Sequence, residues 1–283
     1  MPLATQTNRT LAANWTEQAF VDALRLALKA AGFPATEFDY QPATATSVPP
    51  HRYMVFEFVG DGAKAKGRIY LRIRWTINAT TGAYSLFSAL FDSWSVANKT
   101  GTGQGTEVTA NFAPVPSSAI DFYSFSHPEI KHVAINQGSS WASLNFIRPA
   151  NKILIGSTVL FEEASFPYGF TSIGNDLSFL HGCAAALSPS GADAGYQIEN
   201  MTHLSARNAA TNRVQVIPSP KVYGATSNQG IFAQFSTDVG ICASQSMTPL
   251  TEVNDATRRV LLVPRGNSGI VLSCEPTASI IQA

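Results

Sequence analysis

The clearest pattern in the chain is a strict alternation of apolar and polar residues over residues 68–77, RIYLRIRWTI. The apolar side chains occupy every second position: Ile69, Leu71, Ile73, Trp75 and Ile77. The positions between them carry three arginines, a tyrosine and a threonine. Because side chains alternate between the two faces of a strand, this pattern predicts a strand with one buried face and one arginine-bearing face.

A second apolar segment, residues 53–59 (YMVFEFV), precedes this strand, and residues 60–67 between them are rich in Gly and Lys. Two strand patterns separated by a turn-forming segment predict a β-hairpin. We predict a register that places Val59 opposite Arg68.

In this register Glu57 lies diagonal to Arg68 and Arg72, on the same face of the hairpin. Cross-strand neighbours on one face interact, so we expect Glu57 to neutralise part of the arginine charge. Tyr53 falls opposite Arg74, and we expect its ring to stack on the guanidinium group.

Residues 14–34 carry a helical pattern. Asn14 is a favourable N-cap residue, and Glu17 follows it at the capping-box position. Gly32 and Pro34 favour the end of the helix. The apolar residues recur at helical spacing: Phe20, Leu24, Ala27, Leu28 and Ala31. The segment is therefore predicted to be an amphipathic helix that packs on a sheet.

The remaining patterns are mostly those of short strands. Residues 84–94 predict a third strand, and residues 98–107 predict a mobile glycine-rich loop. Further strand patterns occur in the second half of the chain, including residues 230–236, 258–264 and 269–274. The predicted fold is mainly β, a β-sandwich or barrel-like domain or domains with one N-terminal amphipathic helix.

Changes of composition along the chain suggest a domain organisation. Residues 1–13 are polar, and we expect an arm that is disordered alone and orders on a partner. Residues 14–113 are predicted to form a helix-plus-antiparallel-sheet domain, and residues 114–283 a second β-rich domain.

The charge content narrows the possible functions. Charged residues make up 13% of the chain, with 19 basic and 19 acidic residues, against about 25% in an average globular protein. A neutral chain argues against nucleic-acid binding, which requires a basic excess. Low charge also reduces repulsion between copies, which suits a surface covered by neighbouring proteins. It suits an ordinary extracellular β protein equally well.

The sequence lacks the patterns of a membrane span and of a cysteine-based site. No run of about 18 apolar residues is present and the first residues are polar, so we expect no membrane span. The three cysteines, Cys183, Cys242 and Cys274, are widely spaced. This spacing gives neither a disulfide framework nor a zinc site, and we expect no cofactor and no metal.

The polar side of the hairpin is the first candidate site, and we call it the arginine face. Three interpretations remain open for it: a solvated outer face, a surface that meets another subunit, or a nucleic-acid contact. Arginine and tyrosine are enriched at protein interfaces, and the zero net charge argues against nucleic acid. The candidate interface residues are Glu57, Arg68, Tyr70, Arg72 and Arg74.

A catalytic triad is the second possibility. Ser268 lies in a G-x-S-G motif, RGNSGI, and His51 and Asp121 supply the other residue types of a serine protease. No histidine has the sequence context of those enzymes, and only 15 residues follow Ser268. A turn between two strands accounts for the motif, so we expect no enzymatic activity from it.

A pair of glutamates and a pair of histidines are also poor candidates for a catalytic or metal site. Glu162 and Glu163 are adjacent, so on a strand they point to opposite faces and cannot act as a pair. His127 and His132 flank Glu129, but no third metal ligand is evident and the proline in the segment breaks regular geometry.

Exposed tryptophans suggest an alternative function. Aromatic rings can stack on sugars, and Trp94 and Trp141 lie near predicted loop edges. Trp75 lies on the apolar face of its strand and is expected in the core. Trp94 and Trp141 are therefore the candidates for a carbohydrate-binding or host-adhesion module.

Residues 10–95 resemble structural proteins of tailed bacteriophages, including those of cyanobacteria. The resemblance lies in the order of WTEQAFVDALRLALKAAGF, YMVFEF, a short Gly/Lys turn and KGRIYLRIRWTI. It implies a virion protein of the tail, baseplate or fibre attachment, whose partners are copies of itself and other virion proteins. A host-surface glycan is the partner implied by the alternative function. The resemblance implies no catalytic residue.

Overall fold

The chain folds as a mainly β protein with one helix among the described residues. The computed structural model describes residues 5–44, 49–59, 68–110, 112–149, 151–152, 179–180, 196–198, 216–224, 231–236, 238–243, 252–254, 258–263 and 268–276. Every strand pair in these ranges is antiparallel. The fold class predicted from the alternating patterns is therefore confirmed.

The elements follow one another in chain order. The first part of the chain contains β1 (Thr5–Leu11), α1 (Glu17–Ala30), β2 (Thr36–Phe38), β3 (Tyr53–Val59), β4 (Arg68–Ile77), β5 (Tyr84–Phe91), β6 (Ser93–Ser95), β7 (Thr100–Thr102), β8 (Val108–Thr109), β9 (Ile120–Ser126), β10 (Ile130–Gln137) and β11 (Ser140–Ile147). The later part contains β12 (Asn151–Lys152), β13 (Phe179–Leu180), β14 (Tyr196–Ile198), β15 (Val216–Pro218), β16 (Lys221–Gly224), β17 (Ile231–Gln234), β18 (Val239–Ala243), β19 (Glu252–Asn254), β20 (Arg258–Val263) and β21 (Ser268–Pro276).

Two sheets contain the residues that matter for the candidate site. Sheet I has the strand order β1-β9-β10-β11, and sheet II has the order β2-β3-β4-β5-β8. Two further five-stranded sheets have the orders β12-β17-β16-β14-β13 and β15-β18-β21-β20-β19, and β6 pairs with β7.

Helix α1 and both sheets share one apolar core. Phe20 of the helix lies 6.3 Å from Trp75 of sheet II and 6.0 Å from Phe122 of sheet I, between ring centroids. Away from these contacts, Phe58 of sheet II stacks on Phe146 of sheet I at 3.7 Å. The apolar faces of the two sheets are thus buried against the helix and against each other, which is how amphipathic elements remove apolar area from water.

The helix forms where the periodicity predicts it, but its N-cap differs. The side chain of Thr16, not that of Asn14, accepts a hydrogen bond from the Ala19 amide at 3.2 Å. Asn14 has a φ of 66° and belongs to the turn before the helix. Glu17 therefore does not close a capping box, and its carboxylate instead accepts the indole N–H of buried Trp75 at 3.0 Å.

The C-terminal end of the helix is as predicted. Gly32 has a φ of 85°, a conformation that glycine adopts without strain. The amide of Gly32 donates to the Lys29 carbonyl, and the Phe33 amide donates to the Leu28 carbonyl. These bonds satisfy carbonyl groups at the end of the helix, which would otherwise lack partners.

The hairpin register predicted from the sequence is confirmed. Val59 pairs with Arg68, and Tyr53 pairs with Arg74. The alternating apolar residues of β4 are buried, and Trp75 is 1% exposed, as expected for a core residue.

The polar arm is a correction to the sequence prediction. Residues 1–13 were expected to be disordered alone, but Thr5–Leu11 forms β1, an edge strand that pairs with β9 over seven residues. Alternation is hard to recognise in TQTNRTL, because the strand has no apolar face to bury.

The segment around the predicted domain boundary at residues 113 and 114 is tied to its surroundings. The Pro114 carbonyl accepts from the Tyr84 amide at 2.9 Å, and the Pro116 carbonyl accepts from the Asn14 amide at 2.6 Å. The Gln137 side chain donates to the Val115 carbonyl at 2.9 Å. The apolar core continues across this point, while the division of the chain into domains stays a prediction.

Three strand predictions in the second half are confirmed by β17, β20 and β21. Strands β20 and β21 are antiparallel neighbours. Ser268 is the first residue of β21, and the residues of RGNSGI that precede it lie outside the described residues.

Removal of the observed cap should destabilise the protein. Thr16→Ala loses the side-chain oxygen that satisfies the Ala19 amide, and we expect the free energy of unfolding to fall by about 1 kcal/mol. Thr16→Ser keeps the oxygen and should lose far less. Urea denaturation measures both, and an equal loss in the two variants would contradict the assignment of the cap.

Candidate functional site

The arginine face is the outer face of sheet II. Burial of Ile69, Leu71 and Ile73 against the core leaves the intervening residues of β4 on the opposite face. Arg68 binds Glu57 through Nη1 and Oε1 at 2.6 Å, and Tyr70 donates its hydroxyl to the same oxygen at 3.2 Å. Glu57 thus neutralises part of the arginine charge, as predicted.

Glu107 neutralises the other two arginines. Its Oε2 accepts from Nη2 of Arg72 and from Nε of Arg74, each at 2.7 Å. Its Oε1 accepts a further hydrogen bond from Nη2 of Arg74. The fork of Arg74 therefore binds the carboxylate through two nitrogens, the geometry in which arginine pairs are strongest.

Aromatic rings support the same two arginines. The guanidinium carbon of Arg74 lies 3.7 Å from the centroid of Phe87, and that of Arg72 lies 5.0 Å from Phe91. Tyr53 was expected to stack on Arg74, but its ring stacks on Phe38 at 4.9 Å. The prediction was wrong because β5 brings Phe87 directly opposite Arg74, and the sequence did not show that neighbour.

Two glycines bring Glu107 to this position. A Cβ atom on Gly101 would lie 2.2 Å from the Phe91 ring, and one on Gly103 would lie 1.8 Å from the Asp92 carboxylate. Gly103 also has a φ of 63°. The chain can therefore lie directly on the end of β5 as the β6–β7 hairpin. The segment predicted as a mobile loop has a defined path that ends at Glu107.

The three arginines of β4 differ in accessibility. The side chain of Arg68 is 55% exposed, whereas those of Arg72 and Arg74 are 21% and 28% exposed. The bonds from Arg74, more than the opposing effect of burial, hold the pKa of Glu107 below its ordinary value. Three arginines against two glutamates leave this face with a single excess positive charge.

The two candidate tryptophans lie on different sheets. Trp94 is half-buried beside sheet II, with its ring edge-on to Tyr53 and Phe91 at 5.9 and 5.4 Å. Trp141 is half-buried on sheet I, 5.6 Å from Tyr123. The structure therefore does not bring Trp94 and Trp141 into one site.

The histidine cluster is buried against a later part of the chain. The Glu129 carboxylate accepts from the Ser236 amide at 3.1 Å and also from its hydroxyl. His127 accepts the Glu129 amide at Nδ1. His132 is fully buried next to Phe125, and neither ring nitrogen has a hydrogen-bond partner among the described residues.

Burial determines the charge state of both histidines. Desolvation lowers the pKa of His132 to about 3. It also lowers the pKa of His127 to about 4, with a smaller opposing effect of Asp238. Within the described residues, no three His, Cys, Asp or Glu side chains are grouped to hold a metal ion.

The residues considered for a catalytic triad have other roles where they are described. Asp121, on sheet I, accepts the hydroxyl of Thr10. His51 lies between β2 and β3 of sheet II, and its Nε2 lies 3.1 Å from Nζ of Lys99. Ser268 is described as the first residue of β21. Glu162 and Glu163 lie outside the described residues.

Sequence reasoning missed Glu107, the residue that organises the arginine face. One signal was present: Glu107 is the only acidic residue in the segment 98–107, NKTGTGQGTE. A half-buried arginine needs a carboxylate, and one glutamate on β3 could not serve three. The path of the chain between β5 and β8 was needed to identify the second carboxylate.

No protein-family model matches the sequence, and no curated protein matches it significantly. None of the helices among the described residues is long and apolar enough to cross a membrane.

Loss of the Glu107 charge should destabilise sheet II. Glu107→Gln removes the charge that Arg72 and Arg74 share, and we expect the free energy of unfolding at pH 7 to fall by about 1 kcal/mol after allowance for solvent screening. Glu57→Gln, which affects the more exposed Arg68, is the matched control and should cost less.

The stability difference between wild type and Glu107→Gln should also depend on pH. A carboxylate with a lowered pKa in the folded protein contributes stability that is present above its unfolded pKa, near 4.5, and is lost as the pH falls further. The difference between wild type and Glu107→Gln should therefore be constant above about pH 5.5 and shrink below pH 4.5. A difference that does not change with pH would contradict the ion pair.

The burial of His132 predicts a second pH range in which the folded protein loses stability. Its pKa is lower in the folded protein than in the unfolded chain, so its contribution to stability is present above pH 6.5 and falls towards pH 3. In this range each such histidine contributes a slope of about 1.4 kcal/mol per pH unit. His132→Phe should reduce the slope of unfolding free energy between pH 6 and 4 by about this amount.

Measurements at pH 8, where the histidines are neutral, isolate the packing effect of the His132→Phe substitution. Urea denaturation at several pH values gives the slope. An unchanged slope in the variant would mean that His132 is accessible to protons in the folded state.

Proposed function

We propose that this chain is a non-enzymatic structural component of a phage virion, associated with the tail, baseplate or fibre. It acts by assembly with copies of itself and with other virion proteins. The observation that carries the proposal is the arginine face, in which Glu107 and aromatic rings fix Arg72 and Arg74 on the outside of sheet II. The resemblance of residues 10–95 to tailed-phage structural proteins supplies the virion context.

A fixed surface is favourable for association. Binding normally orders long side chains at a cost of about 0.5–1.5 kcal/mol each. Arg72 and Arg74 are already held by hydrogen bonds, so little ordering remains when a neighbour covers them. Arginine and tyrosine are also among the residues that contribute most to protein interfaces.

The charge distribution supports the same proposal. Among the described residues, several arginines form ion pairs with carboxylates of the same chain: Arg25, Arg52, Arg68, Arg72 and Arg74. A chain of zero net charge, with the three arginines of this face paired to carboxylates, has little electrostatic repulsion between its own copies. Its face also presents too little positive charge to favour nucleic acid.

A carbohydrate-binding or host-adhesion module is the second candidate function. The observation that favours it is Trp94, which is half-buried between the edges of Tyr53 and Phe91 at the border of the arginine face. A ring fixed in this way is preorganised to stack on a sugar. Trp141 would belong to a separate site, because it lies on sheet I.

We expect the purified protein to form defined oligomers, and residues of the arginine face to control them. Arg68→Ala combined with Tyr70→Ala removes the most exposed of the three β4 arginines, together with its neighbouring ring. We expect the dissociation constant of the oligomer to rise about tenfold or more, as for hot-spot residues. Sedimentation velocity over a range of concentrations measures it.

Arg25→Ala is the matched control, because this arginine forms ion pairs with Asp22 and Asp39 around helix α1. A chain that stays monomeric at high concentration and binds no virion component would contradict the proposal. Saturable binding on a glycan array, lost in Trp94→Ala, would favour the adhesion module instead.

A further inference from the structure

Strand β1 is held by its backbone pairing with β9, by the side-chain bond from Thr10 to Asp121 and by the packing of Leu11 against the core. It pairs from Thr5 to Leu11, and in the described part of the chain β9 is its one strand neighbour. Its described side chains, residues 7–11, are exposed except for half-buried Leu11. Little apolar area is therefore buried by the strand, and its position depends on hydrogen bonds that any identical β9 can offer.

The chain between β1 and α1 forms a short hinge next to a firm anchor. Trp15 is 5% exposed, and its indole N–H donates to the Ser118 carbonyl at 2.9 Å. Ala12, Ala13 and Asn14 are exposed, and the Asn14 amide donates to the Pro116 carbonyl at 2.6 Å, which fixes the end of the hinge next to Trp15. Detachment of β1 would consequently leave Trp15 in place and would remove from the core only the half-buried side chain of Leu11.

The hinge also contains an unfavourable backbone conformation. Asn14 has a φ of 66°, in the left-handed region that asparagine tolerates better than most residues but less well than glycine. Short, strained hinges favour the exchange of an element between identical chains, because the exchanged form relaxes the hinge and keeps every other contact.

We propose that β1 is exchanged between copies of this chain, so that the strand of one copy pairs with β9 of the next. This inference rests on the proposed function, because it specifies how assembly occurs. The occupant of the β9 edge is then the same TQTNRTL segment in the same register, supplied by a neighbour. In this register Leu11 pairs with Ile120 of the neighbour, and the three steps from Leu11 to Asn14 span at most about 10 Å, so that end of the neighbour's β9 must lie close to the hinge.

The register provides a direct test by disulfide trapping. Thr10 pairs with Asp121, and the hydroxyl of Thr10 already donates to the carboxylate of Asp121. Opposed residues of antiparallel strands have Cα atoms about 4.5–5.5 Å apart, which a disulfide can bridge. One batch of protein carries Thr10→Cys and another carries Asp121→Cys. The two are mixed, dissociated and reassociated, then oxidised and separated on a non-reducing gel.

A disulfide-linked dimer that forms only in the mixture, and not in either single variant or the parent chain with its own cysteines, would support exchange. A chain carrying both substitutions should then give linked oligomers at high concentration. If that chain closes only within itself, while the wild type oligomerises, the exchange is wrong and the assembly function stands. If the wild type is also monomeric, both fail.

The hinge offers a second, independent variant pair. Asn14→Gly removes the backbone strain and should shift the population towards the closed monomer, whereas Asn14→Ala increases the strain and should favour the exchanged form. We expect the association constants of the two variants to differ by on the order of tenfold per hinge. Equal constants, with both variants folded by circular dichroism, would overturn the role of the hinge.

Discussion

The constraint on which the rest of the structure depends is the burial of the apolar face of β4 against helix α1 and the opposite sheet. Because side chains alternate along a strand, burying Leu71 and Ile73 requires Arg72 and Arg74 to lie on the other face. That face is only partly exposed, so its charges need partners nearby. Glu57 and Glu107 supply them, and the glycines of the β6–β7 hairpin exist where the chain must approach β5 closely enough to deliver Glu107.

The properties of the surface follow from this constraint. Arginine side chains that are paired within the chain and supported by rings cover sheet II without a strong field. The result is a nearly neutral, ordered surface with residues typical of protein contacts. The same reasoning applies at sheet I, where β1 is a polar strand that depends on backbone pairing, and where an identical strand from a neighbour would fit as well.

The sequence predicted what is determined locally. The period of β4, the apolar face of α1 and the register of the hairpin each depend on neighbours within about thirty residues, and all three are confirmed. The predictions that failed depend on distant partners. Phe87 displaced Tyr53 as the ring under Arg74, and Glu107 approached through a turn whose path glycine allows but does not specify. The polar segment TQTNRTL forms strand β1 because its backbone pairs with the edge of β9. No pattern within the segment indicates that this edge is available.

The N-cap of α1 also depends on a distant residue. Asn14 and Thr16 are both favourable N-cap residues by type, so the local sequence does not distinguish them. The choice between them depends on the turn that ties Asn14 to Pro116, over a hundred residues away.

The proposed function requires that a neighbouring protein covers the nearly neutral, prearranged outer face of sheet II. Electron cryomicroscopy of the assembled particle tests it most directly, by locating this chain and the environment of its β4 strand. We expect Arg68 and Tyr70 to lie against another subunit and to be shielded from water. A particle in which this face is open to solvent, with contacts made through other surfaces, would contradict it.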